Sequence, residues 1–486
     1  MILSLPPEIQ GEIFARAHRD NSDDKALLLP VEVTLSHVCS EWRNNAINLP
    51  TLWTAFKFDT RRQMSPPVDK LEKYLHRSKT LLLELYFDIS STDCEEWDEY
   101  NELFFQLFKV AVAHIGRWRR FTLFRFATDP DESPVDIGTF NFMLGECLFA
   151  PNLEYLAMCL ASLDLGEGVR QDDGGIRPSV LIRGAPKLSA IRIDTTSHHY
   201  SLPPLSNLTT LTIQESPDLY SFPTLRSFLT IPTLTNLSIE TSSGLHSNTL
   251  HPETIPLIVM PSLRVLRITQ DYSVASILSL LDAPLLETVV LYDLNLTTMH
   301  FGQDVHSITS FQNLDTIALL NCRYEGSPDV DGGFNPVDRI LNALAYCATH
   351  IVISSLYDTS CYLEPYNSDF RTDLLDFDKY RWHRLRRVTL DVSSFDDLMF
   401  HVKNLEQSPR WITFRVVEPL LERWRKEQCD SLTRLGRFCK VESIQVGDLM
   451  MDEYWPAPGG MFHEDGNLHV CWGESIRARG AVEVEP

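Results

Sequence analysis

Near the amino terminus apolar residues recur at helical spacing. Ile9, Ile13, Phe14 and Ala17 fall at i, i+4, i+5 and i+8, a stripe about 100° wide. Pro6 and Pro7 suit a first helical turn, and Glu8 places a carboxylate where the helix dipole favours it. The stripe predicts a helix ending near His18, before the polar loop 20–24. A second stripe, Leu35, Val38, Cys39, Trp42 and Ala46, predicts more helix with Thr34 as its cap, and Pro50-Thr-Leu-Trp53 closes the unit with two large apolar side chains.

From about residue 79 the period changes from helical to alternating. The phrase Pro-x-Leu-x-x-Leu-x-Leu recurs as Pro151-Asn-Leu153-x-x-Leu156-x-Met158, Pro186-Lys-Leu188-x-x-Ile191-x-Ile193, Pro232-Thr-Leu234-x-x-Leu237-x-Ile239 and Pro261-Ser-Leu263-x-x-Leu266-x-Ile268. Further copies start at Leu208, Leu286, Leu314 and Leu385, and weaker ones at Leu82, Trp118 and Ala348. The L-x-L alternation sends two side chains to one face of a strand and the intervening ones to the other. Helical patterns between the copies, over 101–114, 273–281 and 336–347, would cover one face of the resulting parallel sheet. The short repeats near 188 to 234 leave no room for three helical turns and should cross in extended or turn form, as Pro203, Pro204 and Pro223 indicate. The expected fold is α/β: a small helical unit over 1–60, a linker over 61–78, a curved leucine-rich-repeat-like solenoid over 79–446 with strands on its concave face, and an irregular cap or tail over 447–486. A doubly wound α/β enzyme is the competing fold, but its strands would share no common entry phrase.

Composition narrows the function. The 486 residues carry 43 Lys and Arg against 66 Asp and Glu, a formal charge of −23 that repels phosphate backbones and anionic membranes. Neither nucleic acid nor a membrane is therefore an expected partner. No stretch has the features of a signal peptide or of a membrane span, and the ten cysteines lie scattered with no CxxC pair. These features fit an intracellular chain, in cytoplasm or nucleus. Two of the three Asn-x-Ser/Thr sequons fall inside the repeat and follow from its leucine spacing.

The search for chemistry returns little. Walker A, GxGxxG, GxSxG and HExxH patterns do not occur. His198 and His199 would point to opposite faces of a strand, and His463, His469 and Cys471 lack finger spacing and a fourth ligand. The run Asp93-Cys-Glu-Glu-Trp-Asp-Glu99 reads as a solvated face. No cofactor, metal or catalytic residue is expected, so the chain is read as a non-enzyme whose function lies in a surface. The positions between the core residues of each strand form that surface, with Arg192, Arg267 and Tyr292 as candidate target-binding anchors.

The amino-terminal string Leu5-Pro6-Pro7-Glu8-Ile9, then Ile13-Phe14, Val38-Cys39, Trp42-Arg43, Ala46 and Pro50-x-Leu52-Trp53, resembles an F-box in order and spacing. Between its helices the insertion through Val33 is longer than in compact F-boxes. Leu75-His-Arg-Ser78, Arg117-Trp-Arg-Arg120 and Ala150-Pro-Asn-Leu153 are similar to phrases of the expanded fungal F-box type with a leucine-rich-repeat-like carboxy-terminal region. The resemblance implies a Skp-type adaptor held by Leu5, Pro6, Ile9, Ile13, Phe14, Val38, Leu52 and Trp53, with Trp42 in the unit's own core. It also implies a role as substrate adaptor of an SCF-type cullin-RING ubiquitin ligase, the repeats binding the target protein. A repeat scaffold acting outside a ligase is the alternative.

Overall fold

The computed structural model describes residues 5–20, 30–59, 67–89, 97–124, 144–145, 148–159, 178–194, 202–215, 222–241, 257–269, 278, 280–292, 294, 311–320, 322, 344–354, 382–391 and 411–445. They form two compact units that divide between Leu208 and Thr209.

In the first unit, helices α1 (Pro7–Asp20), α2 (Val31–Val38) and α3 (Ser40–Asn48) are followed by a 3-10 turn at Pro50–Trp53. The chain then enters β1 (Ala55–Asp59), α4 (Pro67–Arg77), β2 (Leu83–Asp88), α5 (Trp97–Val112), β3 (Trp118–Phe124), β4 (Tyr155–Cys159) and β5 (Ala190–Ile193). The strands pair parallel in chain order. One face is an apolar ladder, with Phe56, Leu85, Phe121, Leu156 and Ile191 in register and Phe58, Phe87, Leu123, Met158 and Ile193 two residues on. The helices pack on this face: Tyr74 of α4 meets Phe56 edge-on at 5.4 Å between ring centroids, and Phe108 of α5 lies 5.8 Å from Phe121.

The second unit continues the scheme with β6 (Thr210–Glu215), α6 (Phe222–Leu229), β7 (Asn236–Thr241), β8 (Ile258–Val259), β9 (Val265–Thr269), β10 (Leu281–Asp282), β11 (Thr288–Tyr292), β12 (Thr316–Leu320), β13 (His350–Ser354), β14 (Arg387–Asp391), β15 (Ile412–Val417), α7 (Glu418–Glu427), α8 (Cys429–Leu435) and β16 (Cys439–Ile444). Strands β8 and β10 form their own short parallel pair, and the others pair parallel in chain order. Leu237, Leu266, Val289, Ile317, Ile351, Val388 and Phe414 share one register row and are buried.

The recurrent phrase is a turn. In the clear copies the leucine N–H donates to the carbonyl three residues back, from Leu153 to Ala150, Leu188 to Ala185, Leu234 to Ile231, Leu263 to Met260 and likewise Leu286 to Ala283. Proline at the second turn position has its φ already set for this geometry. The residue before the leucine links successive turns. Asn207 Nδ2 donates to Pro186 O at 2.9 Å, Ser262 Oγ to Pro232 O at 2.7 Å and Asn313 Nδ2 to Pro284 O at 2.7 Å. Asn313→Ala is expected to cost about 1 kcal/mol in urea denaturation, whereas Gln312→Ala, one residue away and exposed, should stay within about 0.5 kcal/mol.

Several expectations change. The stripe from Leu35 to Ala46 is two helices: Cys39 is extended, with φ −158° and ψ 173°, and its Sγ accepts the Trp42 N–H as the cap of α3. Thr34 lies inside α2, where its hydroxyl donates back to Pro30 O, and therefore does not cap it. The expected linker over 61–78 contains α4, whose Leu71, Tyr74 and Leu75 are buried, and β1 already belongs to the sheet. The short repeat before Pro232 crosses through helix α6, because Pro223 in a first turn starts a helix at no hydrogen-bonding loss. The helices expected over 273–281 and 336–347 fall mostly outside the described residues, as does all of 447–486.

Candidate functional site

Two places carry the residues singled out by the sequence. The first is the helical unit at the amino terminus. Gln10, buried, donates from Nε2 to Leu5 O at 2.9 Å and accepts from Asn45 Nδ2 at 2.8 Å, which ties α1 to α3. The Phe14 and Trp42 rings meet at 4.9 Å, and Trp53 Nε1 donates to Ala46 O at 2.8 Å. These contacts place Phe14, Leu52 and Trp53 in the core, where each is at most 2% exposed. A direct surface role for those three is therefore corrected: their large apolar side chains serve the unit's own packing. Trp42 is half-buried against Phe14.

What remains at the surface is a narrower set. Ile9 is 50%, Ile13 44% and Val38 56% exposed, Pro6 is exposed, and Leu5 is half-buried. Ile9 and Ile13 stand at i and i+4 and so share one face of α1, and Pro6 lies just before its first turn. Thus α1 buries Gln10 and Phe14 and turns Ile9 and Ile13 outward.

A polar cluster that the sequence reading missed fastens this unit to the sheet. Glu32 of α2, buried, is 3.3 Å from His18 Nε2 of α1 and accepts the hydroxyl hydrogen bond of Tyr74 on α4. Burial first, and then Glu32, push the Tyr74 hydroxyl well above its ordinary range, while burial holds the Lys70 ammonium below its own. Arg77 stacks over Trp53 at 4.2 Å. Only the odd placement of Glu32 between two apolar residues marks this cluster in the sequence.

The second place is the sheet face opposite the apolar ladder. The register matches the sequence expectation. Tyr155 and Ala157 align with Ala190 and Arg192, and Cys159 with Phe124, in the first unit, and Arg267 aligns with Ser238 and Val290 in the second. The environment does not. Tyr86, Phe124, Tyr155, Ala157, Cys159 and Ala190 form a buried apolar cluster, with Arg120 over the Tyr155 ring at 4.5 Å and Arg192 near the Phe124 ring at 5.8 Å. In the second unit Arg267 is 0% exposed, 3.9 Å from buried Glu240 and 5.2 Å from the ring of Tyr292. All three expected target-binding anchors, Arg192, Arg267 and Tyr292, are buried side chains. The expectation that they line an open face is corrected, since a parallel sheet is stable with both faces covered.

Among the described residues this face is most open at its last strands. Arg387 and Lys440 are exposed, and Thr413, Arg415 and Glu442 half-buried. Just inside them His350, buried, makes a 2.9 Å hydrogen bond to Thr389 Oγ1. Burial, then the charges of Arg387 and Arg415, push its imidazole down to about 4.

Among the described residues no group of three His, Cys, Asp or Glu is placed to hold a metal ion, and no helix is long and apolar enough to cross a membrane. An open groove of about 540 Å³ runs along α4, lined by Ile47, Asn48, Asp69, Glu72, Lys73 and His76 among others. His198 and His199, the candidate ligands His463, His469 and Cys471, and the side chains of the acidic run 93–99 lie outside the described residues. No protein-family model matches the chain, and no curated protein matches it.

Proposed function

We propose that the chain is a non-catalytic substrate adaptor of an SCF-type cullin-RING ubiquitin ligase, its amino-terminal helices holding a Skp-type subunit and its repeats holding a target protein. The observation that carries this reading is the outward edge of α1, where Ile9 and Ile13 are exposed on a helix whose other face is well packed, with Pro6 exposed just before it. Two exposed isoleucines one helical turn apart, with Val38 exposed at the end of α2, leave apolar surface for a partner to cover. Their order and spacing resemble an F-box, as does the run Pro50-Thr-Leu-Trp53 that closes the unit. In this role the chain supplies proximity. Ubiquitin transfer is catalysed by other subunits, and holding the target beside a charged conjugating enzyme makes a bimolecular step nearly unimolecular.

The burial pattern sharpens the test. Ile9→Ser with Ile13→Ser in the full chain should abolish co-purification with a Skp-type adaptor while the thermal melt stays within about 2 °C of the parent, because the positions are exposed. Undiminished capture would overturn the adaptor reading and favour a repeat scaffold acting outside a ligase.

A further inference from the structure

We infer that the open end of the sheet face is a binding site for an anionic segment of a protein, with Arg387 and Arg415 as the groups that hold it. This rests on reading the repeats as a target-binding surface, and not on the ligase half of the proposal. Three strands build the site. Thr316, His350, Arg387, Thr413 and Lys440 lie in one register row, and Thr389, Arg415 and Glu442 lie in the next. Arg387 on β14 pairs with Thr413 on β15, so Arg415 is its diagonal neighbour on the same face, about 8 Å away between Cα atoms by strand spacing.

Like charges this close on neighbouring strands are unfavourable. One carboxylate answers them: Glu442 pairs across the strands with Arg415, and the charges of Lys440, Arg415 and Arg387 hold it below its ordinary range, so three cations share a single anion. The nearby carboxylate, Glu442, is engaged by Lys440 at 2.5 Å. The charge is local. Residues 382–445 hold twelve Lys and Arg against nine Asp and Glu in a chain of −23 overall, so the general field rejects anions and this end attracts them. Two guanidiniums at strand positions next to Thr413 suit a carboxylate or phosphoryl group, which arginine binds through paired N–H donors. Among the described residues of this face, Arg387 and Lys440 are the exposed ones, which favours the last strands for recognition. The occupant is therefore an acidic or phosphorylated stretch of a target protein.

The test is fluorescence anisotropy of the full chain with three labelled peptides of equal length: one rich in Glu, one bearing phosphothreonine in a neutral sequence, and one neutral throughout. At least one anionic peptide should bind about tenfold or more tightly than the neutral one and weaken as salt rises. Tighter binding of the phosphopeptide assigns a phosphoryl group, and tighter binding of the Glu peptide assigns carboxylates. Arg387→Gln with Arg415→Gln should weaken that binding on the order of tenfold. Glu442→Gln should strengthen it, a gain that misfolding could not produce. Equal affinity for the neutral peptide, parental affinity in the arginine variant, or binding confined to phosphatidylserine vesicles would overturn the inference. No adaptor is present in this assay, so a failed adaptor pull-down and a failed peptide titration are separate results.

Discussion

Arg267→Ala is expected to destabilise the second unit by about 3 to 5 kcal/mol, because it removes the cation that faces a buried carboxylate. Arg267 is fully buried against the ring of Tyr292, Glu240 is 8% exposed, and the two approach to 3.9 Å. Taking away the guanidinium withdraws that cation from Glu240, whose Oε1 lies 3.4 Å from Ser238 Oγ, and also opens a cavity. The double change Arg267→Met with Glu240→Leu removes both charges and should recover much of the loss, since an apolar pair of similar volume replaces the ion pair. Urea denaturation of the parent, the single and the double variants measures both effects. A cost below about 0.5 kcal/mol for Arg267→Ala would return this residue to the open surface that its strand position had promised.

His350 should make the second unit acid-sensitive in a defined window. Its imidazole titrates near 4 in the folded chain because of burial and of Arg387 and Arg415, with Asp315 acting in the opposite direction. In the unfolded chain it would titrate at about 6.5. The unfolded state therefore binds more protons between those values. The stabilising contribution is complete above pH 6.5 and is lost as pH falls toward 4. The loss should reach about 2 kcal/mol at pH 5 and about 3 kcal/mol at pH 4. His350→Gln keeps a polar partner for Thr389 and should lack this component. Comparing urea midpoints of the two proteins at pH 7.5 and pH 5 isolates it from the titration of carboxylates, and parallel pH profiles would show that His350 is already hydrated in the fold.

The fold was legible where a residue's chemistry repeats. Proline before leucine specifies a turn, and Leu266 with Ile268 specifies which side of β9 is core, so strand positions and register followed from the leucine phrase alone. Strand β1 was missed because its entry, Pro50-Thr-Leu52, stands one residue farther from the Phe56-Lys-Phe58 alternation than in the other copies, and α4 because 61–78 lies between two patterns. Burial of the opposite face was not legible. Alternation separates two faces but does not say that the second is dry, and Arg192, Arg267 and Tyr292 read equally well as anchors or as buried side chains. At the amino terminus the apolar residues were found, but a single stripe does not reveal which of them turn outward. Phe14 and Ile13 are adjacent in sequence and opposite in fate because Trp42 covers only one of them.

The turn-to-turn bonds have a consequence for how such a chain changes over time. Eighteen residues separate β9 from β11 and thirty-two separate β13 from β14, yet in both pairs the first residue of one strand meets the first of the next. The hydrogen bonds from Ser262 and Asn313 to the preceding proline carbonyls set the distance from rung to rung, so the length of chain between rungs is released from that duty. Closing a longer excursion is cheap, since each doubling of its length costs only about 0.6 kcal/mol. Insertions and deletions can therefore accumulate between the rungs while the sheet keeps its pitch, and lineages sharing one backbone ladder would diverge first in the segments that the ladder does not count.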